Sequence, residues 1–175
     1  LGLLALSLAT LSPSLQAQEK PPLKILVGFP PGGSADVLAR MVADALKDDF
    51  GSIVVDNKPG AGGRIALNMT KAAKPDGQTV IILPSGPMVL FPHVYKKLDY
   101  DAVKDFTPII AAAYNNRCIV VHPSLPVQNL NELIAYAKKN PGKLSYGVAA
   151  SGSAQELAGD LLKFTTGIDM VPVPY

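Results

Sequence analysis

LKILVGFPPGGSAD, residues 23–36, decides how the rest of the chain is read. A short apolar segment, Ile25-Leu26-Val27, runs into Pro30-Pro31-Gly32-Gly33, and a helix is expected to open at Ser34. The helix follows from Val37, Leu38, Met41, Val42, Ala45 and Leu46, which recur at helical spacing and form one apolar stripe. Ser34 is the expected N-cap, its side-chain oxygen accepting an N–H of the first turn. Asp36 stands in that turn, where the helix dipole favours a carboxylate. Gly32 and Gly33 leave the backbone bare, so a strand, a glycine loop and a helix N-terminus together offer an anion site. For an isolated Gly-Gly, a tight turn such as any βα unit needs would be the better reading.

Nucleotide motifs fail on the same stretch. Gly28 and Gly33-Ser34 have the glycine spacing of a P-loop, but no lysine stands there to reach a phosphate, and the glycines do not form G-x-G-x-x-G.

The 175 residues are 48% hydrophobic and 17% charged, with a net charge of +2. That suits one full domain or parts of two, and with no basic block nothing points to nucleic acid as a partner. Cys118 is alone, which excludes an internal disulfide and paired-cysteine metal sites. His93 and His122 lack H-E-x-x-H or comparable ligand spacing, so no metal or cofactor is expected. Residues 1–17, LGLLALSLATLSPSLQA, are apolar and uncharged before the polar Gln18-Glu19-Lys20. They read as the later part of a secretory signal peptide cut after Ala17, too short and too interrupted by Pro13 for a membrane span.

Along the chain the elements alternate. A second strand is expected at Ile53–Asp56, followed by the glycine-rich Asn57–Gly63 and a weaker helix marked by Ile65, Met69 and Ala72. Gln78–Leu83 is a continuous apolar strand, suited to burial on both faces of a parallel sheet, and it runs into Pro84-Ser85-Gly86-Pro87. The order βαβαβ is that of an open α/β sheet, which binds ligands beyond its strand ends. After the polar connector Lys96–Asp105, two further strands are expected at Thr107–Ala113 and Cys118–Val121, with the crossing into a second domain here. Asn129 and Glu132 form a capping box for a helix through Lys139. Leu144–Val148 is a strand, Ala149–Ser153 a small-residue loop, and a helix carrying Leu157, Leu161, Leu162 and Phe164 stops at Gly167. A strand then begins at Met170. FPPGGSAD and VAASGSAQE thus share one logic, and two such loops are expected to face each other across a cleft.

Ser151 and Ser153 do not make a hydrolase. No G-x-S-x-G elbow is present, and both histidines precede both serines. What remains is backbone N–H groups and small hydroxyls, a set that binds without transforming. A helix N-terminus contributes about 0.3–1 kcal/mol to an exposed anion. With several hydrogen bonds of about 1 kcal/mol each, this reaches micromolar affinity without a full counter-charge.

KILVGFPPGGSADVLAR, VVDNKPGAGGRIA, PDGQTVIILPSG, YKKLDYDAVKDFTPI, VVHPSLPVQNLNELIAYAKKNPGKLSYG and GIDMVPVPY resemble successive blocks of the Bug family, the extracytoplasmic receptors of tripartite tricarboxylate transporters. The resemblance implies a two-domain periplasmic-binding-protein (flytrap) fold, each domain an open, mostly parallel sheet flanked by helices. Residues 18–108 would belong to domain 1 and 109–175 to the start of domain 2, with the remainder of both absent. It also implies a monomeric periplasmic receptor, not an enzyme, that hands a small organic carboxylate to membrane subunits of such a transporter. A sensory module using the same cleft is the alternative. The implied ligand contacts are Phe29, Pro30, Gly32, Gly33, Ser34 and Asp36 on one loop, Ser85 and Gly86 on a second, and Ser151, Gly152, Ser153 and Gln155 on a third. Gly60–Gly63 are read as structural turn residues. Glu156, where the family often has histidine, is expected to point away, and Arg117 is a candidate for a second ligand carboxylate.

Overall fold

Strand β1 (Leu23–Val27) lies between β2 (Ile53–Asn57) and β3 (Thr79–Ile82) in a three-stranded sheet, order β2-β1-β3, with both pairings parallel. The computed structural model describes residues 21–114 and 116–175, so the expected export segment, residues 1–17, lies outside the described residues. Ile25 and Val27 are fully buried and Leu26 nearly so, because the central strand is covered on both faces. Ile25 stands in register with Val55 on one side and Val80 on the other.

Parallel neighbours need crossover connections, and helices α1 (Ser34–Phe50) and α2 (Arg64–Ala72) supply them. α1 lays Ala35, Ala39, Val42, Ala43 and Leu46 on the core built from Leu23, Ile25 and Val27. This is not the expected stripe, since Val37 and Met41 are 49% and 64% exposed. The inward face is set by small side chains, which bring the helix close to the sheet, and it includes the buried Asp36. α2 shows the same rotation. Ala66 and Leu67 are fully buried, whereas Ile65 and Met69 are 46% and 40% exposed.

After β3 the chain makes two single-turn helices, α3 (Gly86–Val89) and α4 (Phe91–Val94). Pro92 falls in the first turn of α4, where its missing N–H costs nothing. Helix α5 (Leu130–Lys139) opens as expected: Asn129 accepts the Glu132 N–H at 3.0 Å, and Glu132 reaches back to the Gln128 N–H at 2.7 Å. β4 (Leu144–Val148), α6 (Ala154–Thr166) and β5 (Met170–Pro174) complete a second parallel pair over Ala137, Ile168 and Met170.

The two apolar runs expected as strands, Thr107–Ala113 and Cys118–Val121, are irregular connection instead. Ile109, Ile110 and Val120 are 80% exposed or more. A strand exists by pairing, and among the described residues neither run meets a sheet edge. The architecture is α/β with parallel sheets flanked by helices, and no helix among the described residues is long and apolar enough to cross a membrane.

Candidate functional site

The loop after β1 is shaped by its own side chains. Gly33, with extended backbone, occupies the N-cap of α1 and gives no side-chain cap, so Ser34 begins the helix and does not cap it. Asp36 instead closes the loop ahead of the helix by accepting the Gly32 N–H at 2.9 Å; Gly32 reaches that geometry at φ +83°. Arg40 grips the same carboxylate with Nε at 3.1 Å and Nη2 at 3.0 Å. The Arg40 hydrogen bonds first, and the Gly32 N–H second, hold the Asp36 carboxyl down at about 2. Asn57, at the end of β2, braces the loop by donating to the Phe29 carbonyl at 3.1 Å and accepting from Arg40. Asp36 and the Gly32 N–H are therefore engaged in folding the loop. The N–H groups of Ser34 and Ala35 have no intrahelical acceptor and remain for a ligand.

The loop after β4 repeats the arrangement. Ser153 is the N-cap of α6 and accepts the Glu156 N–H at 3.3 Å, while the Gly152 N–H, at φ +75°, donates to the Glu156 carboxylate. Glu156 does not point away, as expected from its position on the helix; it closes a reciprocal cap. In both loops an acid in the first helical turn takes the N–H of the glycine four residues earlier. Arg40 neutralises Asp36, and among the described residues no cation pairs with Glu156.

Between these loops lies a cavity of about 390 Å³, inside the roughly 300–1,000 Å³ range of small-molecule sites. The first sheet contributes Gly28, Phe29 and Pro30, and the loop after β2 contributes Pro59–Gly62 and Arg64. Ala149, Ala150 and Ser151 form the facing wall, with Tyr95 and Tyr175 at the sides. Glycines allow the surfaces to meet: a Cβ on Gly62 would stand 3.0 Å from Phe91 and 3.3 Å from Ala150. One on Gly152 would stand 3.0 Å from Val94. The Tyr95 hydroxyl donates to the Ser151 carbonyl at 2.7 Å, tying the segment after α4 to the loop after β4. Arg64 stacks over the Tyr95 ring at 4.6 Å, its Nε held by the Ala61 carbonyl at 3.0 Å.

Of the residues expected at the site, Phe29, Pro30 and Ser151 line this cavity. Gly32, Gly33, Ser34 and Asp36 lie in the first loop and helix turn beside it, and Gly152, Ser153 and Gln155 do so in the facing loop. Ser85 and Gly86 do not line it. Ser85 is exposed, its carbonyl taking the N–H groups of Met88 and Val89, and Gly86 is buried at the start of α3. Arg117 is exposed on the connection between the sheets and also stands outside the lining. Gly60 and Gly62, expected as structural turn residues, also form cavity wall. Their position at the C-terminal end of a parallel strand was the available signal. His122 Nδ1 meets Ser124 Oγ at 2.8 Å, but the pair closes an exposed turn away from the cavity.

The family model described as "Tripartite tricarboxylate transporter family receptor" matches residues 38–175. The chain belongs to this receptor family. A UPF0065 protein of Bordetella pertussis is 33% identical over 175 residues, 98% of this chain and 53% of that protein. The chain spans about half the length of the curated relatives it matches. Among solved structures, Rpa4515 of R. palustris, determined with adipate, is 36% identical with a TM-score of 0.78, over 88% of this chain and 52% of the other. The periplasmic binding protein BugD is 32% identical with a TM-score of 0.73, over 88% and 52%. The resemblance to Bug receptors read from the six sequence blocks is thereby established for this chain.

Proposed function

We propose that this protein is a periplasmic solute receptor that holds a small organic carboxylate between two domains and delivers it to the membrane subunits of a tripartite tricarboxylate transporter. Residues 18–108 and 109–175 supply the two sides of the cleft. The observation that carries this reading is the cavity itself. Helix-opening loops from both sheets reach it, one guanidinium stands in its wall, and among the described residues no carboxylate lines it. An anion meets N–H groups and positive charge there, with no nucleophile–base pair to transform it. Adipate, present in the Rpa4515 structure, is the natural first ligand to try. Bringing the two sides together is driven by contacts a ligand makes with both at once.

A thermal-shift screen of the purified protein against dicarboxylates, monocarboxylates and their neutral methyl esters tests the reading. A ligand at 100 times its dissociation constant adds ~2.7 kcal/mol. For a chain of this size, that raises the melting temperature by about 5–10 °C. Acids should stabilise and esters should not. Equal shifts from acids and esters, or no shift from any acid, would overturn carboxylate binding. Loss of carboxylate uptake on deleting the gene, with uptake restored by the intact copy, would support delivery to a transporter.

A further inference from the structure

The proposed carboxylate cleft contains one full positive charge that the residues expected from sequence did not include. Arg64 opens α2 immediately after the left-handed Gly63, and this places its side chain in the cavity wall instead of on the outer face of the helix. Its plane is fixed twice, by the Tyr95 ring beneath it and by the bond from Nε to the Ala61 carbonyl. Those restraints leave the two Nη groups as a preset fork. Among the described residues no carboxylate forms an ion pair with Arg64, whereas Arg40 is paired with Asp36. The other residues of the lining are apolar, glycine, serine or tyrosine. A planar, weakly hydrated guanidinium held without a partner suits a carboxylate taken in two parallel hydrogen bonds.

Resting on the carboxylate-receptor reading, we propose that Arg64 reads a second, distal carboxylate, making the cargo a dicarboxylate. The first carboxylate lies at the helix-opening loops Phe29–Asp36 and Ser151–Gln155, where Asp36 and Glu156 already take one glycine N–H each. Those loops therefore offer a shortened set of donors and no net positive side chain, since Arg40 is spent on Asp36. Arg64 supplies the charge they lack. The Tyr95 hydroxyl bond to the Ser151 carbonyl couples the Arg64 platform to the opposite wall, so the distal group is read in the same arrangement that encloses the proximal one.

Isothermal titration of wild-type protein, Arg64→Gln and Arg64→Lys with adipate, its monoamide and hexanoate tests the assignment. Wild type should prefer adipate over both analogues by about 10- to 100-fold, the worth of a charge-assisted pair. Arg64→Gln should bring adipate down to the monoamide's affinity and leave the monoamide and hexanoate unchanged, with Arg64→Lys in between. Unliganded melting temperatures of the variants close to wild type would show that the platform is intact. An equal loss for all three ligands in Arg64→Gln, or an unchanged adipate preference, would overturn the role of Arg64 while leaving carboxylate binding in place. Failure of wild type to bind any carboxylate would overturn the receptor reading and this assignment with it.

Discussion

Gly28→Ala should be among the most damaging single-methyl changes in the protein. At Gly28 the end of the central strand passes the loop before α2, and an added Cβ would lie 2.7 Å from Gly63 Cα and 3.2 Å from its carbonyl oxygen. Carbon atoms rest about 3.5–4.0 Å apart, so the two backbones must separate by roughly 0.8 Å. Neither side yields by turning a side chain. Gly28 continues central strand β1, whose Ile25 and Val27 are fully buried, and Gly63 is fixed at φ +91° with its N–H on the Gly60 carbonyl at 2.9 Å. Overpacking of this kind costs about 2–3 kcal/mol. For a chain of this length that lowers the melting temperature by about 4–12 °C. The matched control is Gly86→Ala, where a Cβ meets nothing within 4 Å and the backbone is helical. It should stay within about 1 kcal/mol of wild type. Urea unfolding followed by circular dichroism reads both variants. Equal midpoints for the two would refute the close approach. Because Gly62 and Arg64 ride on the displaced loop, Gly28→Ala should also weaken ligand binding.

Two further outcomes follow from the packing and the loop. Asp36, held down at about 2 from 3.8 chiefly by Arg40 and then by the Gly32 N–H, binds protons less readily folded than unfolded. Its stabilisation is therefore complete above about pH 4 and disappears as pH falls toward 2. The stability margin of wild type over Asp36→Asn, measured by urea midpoints from about pH 6 to 2, should shrink across that window, and a constant margin would contradict the assignment. Ile25→Ala empties a fully buried site on β1 and should cost about 2–5 kcal/mol, whereas Phe164→Ala, at a side chain 88% exposed, should change stability by less than about 0.5 kcal/mol. Comparable losses at the two positions would mean that α6 packs through Phe164 after all.

The alternation of elements was legible because it rests on local chemistry. Apolar runs between Pro-Gly turns marked β1–β5 nearly to the residue, and Asn129 with Glu132 announced α5 through a bond made within one turn. Helix faces were harder. Hydrophobic spacing selected Val37 and Met41 on α1, but the face that packs is chosen by how closely a helix can approach the sheet, and that favours Ala35, Ala39 and Ala43. The runs at Thr107–Ala113 and Cys118–Val121 had the composition of strands, which says nothing about whether an edge is available to pair with.

Local sequence was enough for the parallel α/β plan, the family, and the two glycine loops that open helices at Ser34 and Ala154, because each depends on residues within a few positions of one another. Which groups stand in the cavity was settled by packing instead. Asp36 and Glu156 turn inward to take glycine N–H groups, Ser85 and Gly86 fall outside the lining, and the loop after β2 is carried over to the wall. Arg64 stands in the cavity wall because Gly28, Gly62 and Gly152 let segments far apart in sequence come within van der Waals contact, with the Tyr95 ring against its guanidinium. Contacts of that kind arise from the packing of separate elements, and no local spacing encodes them.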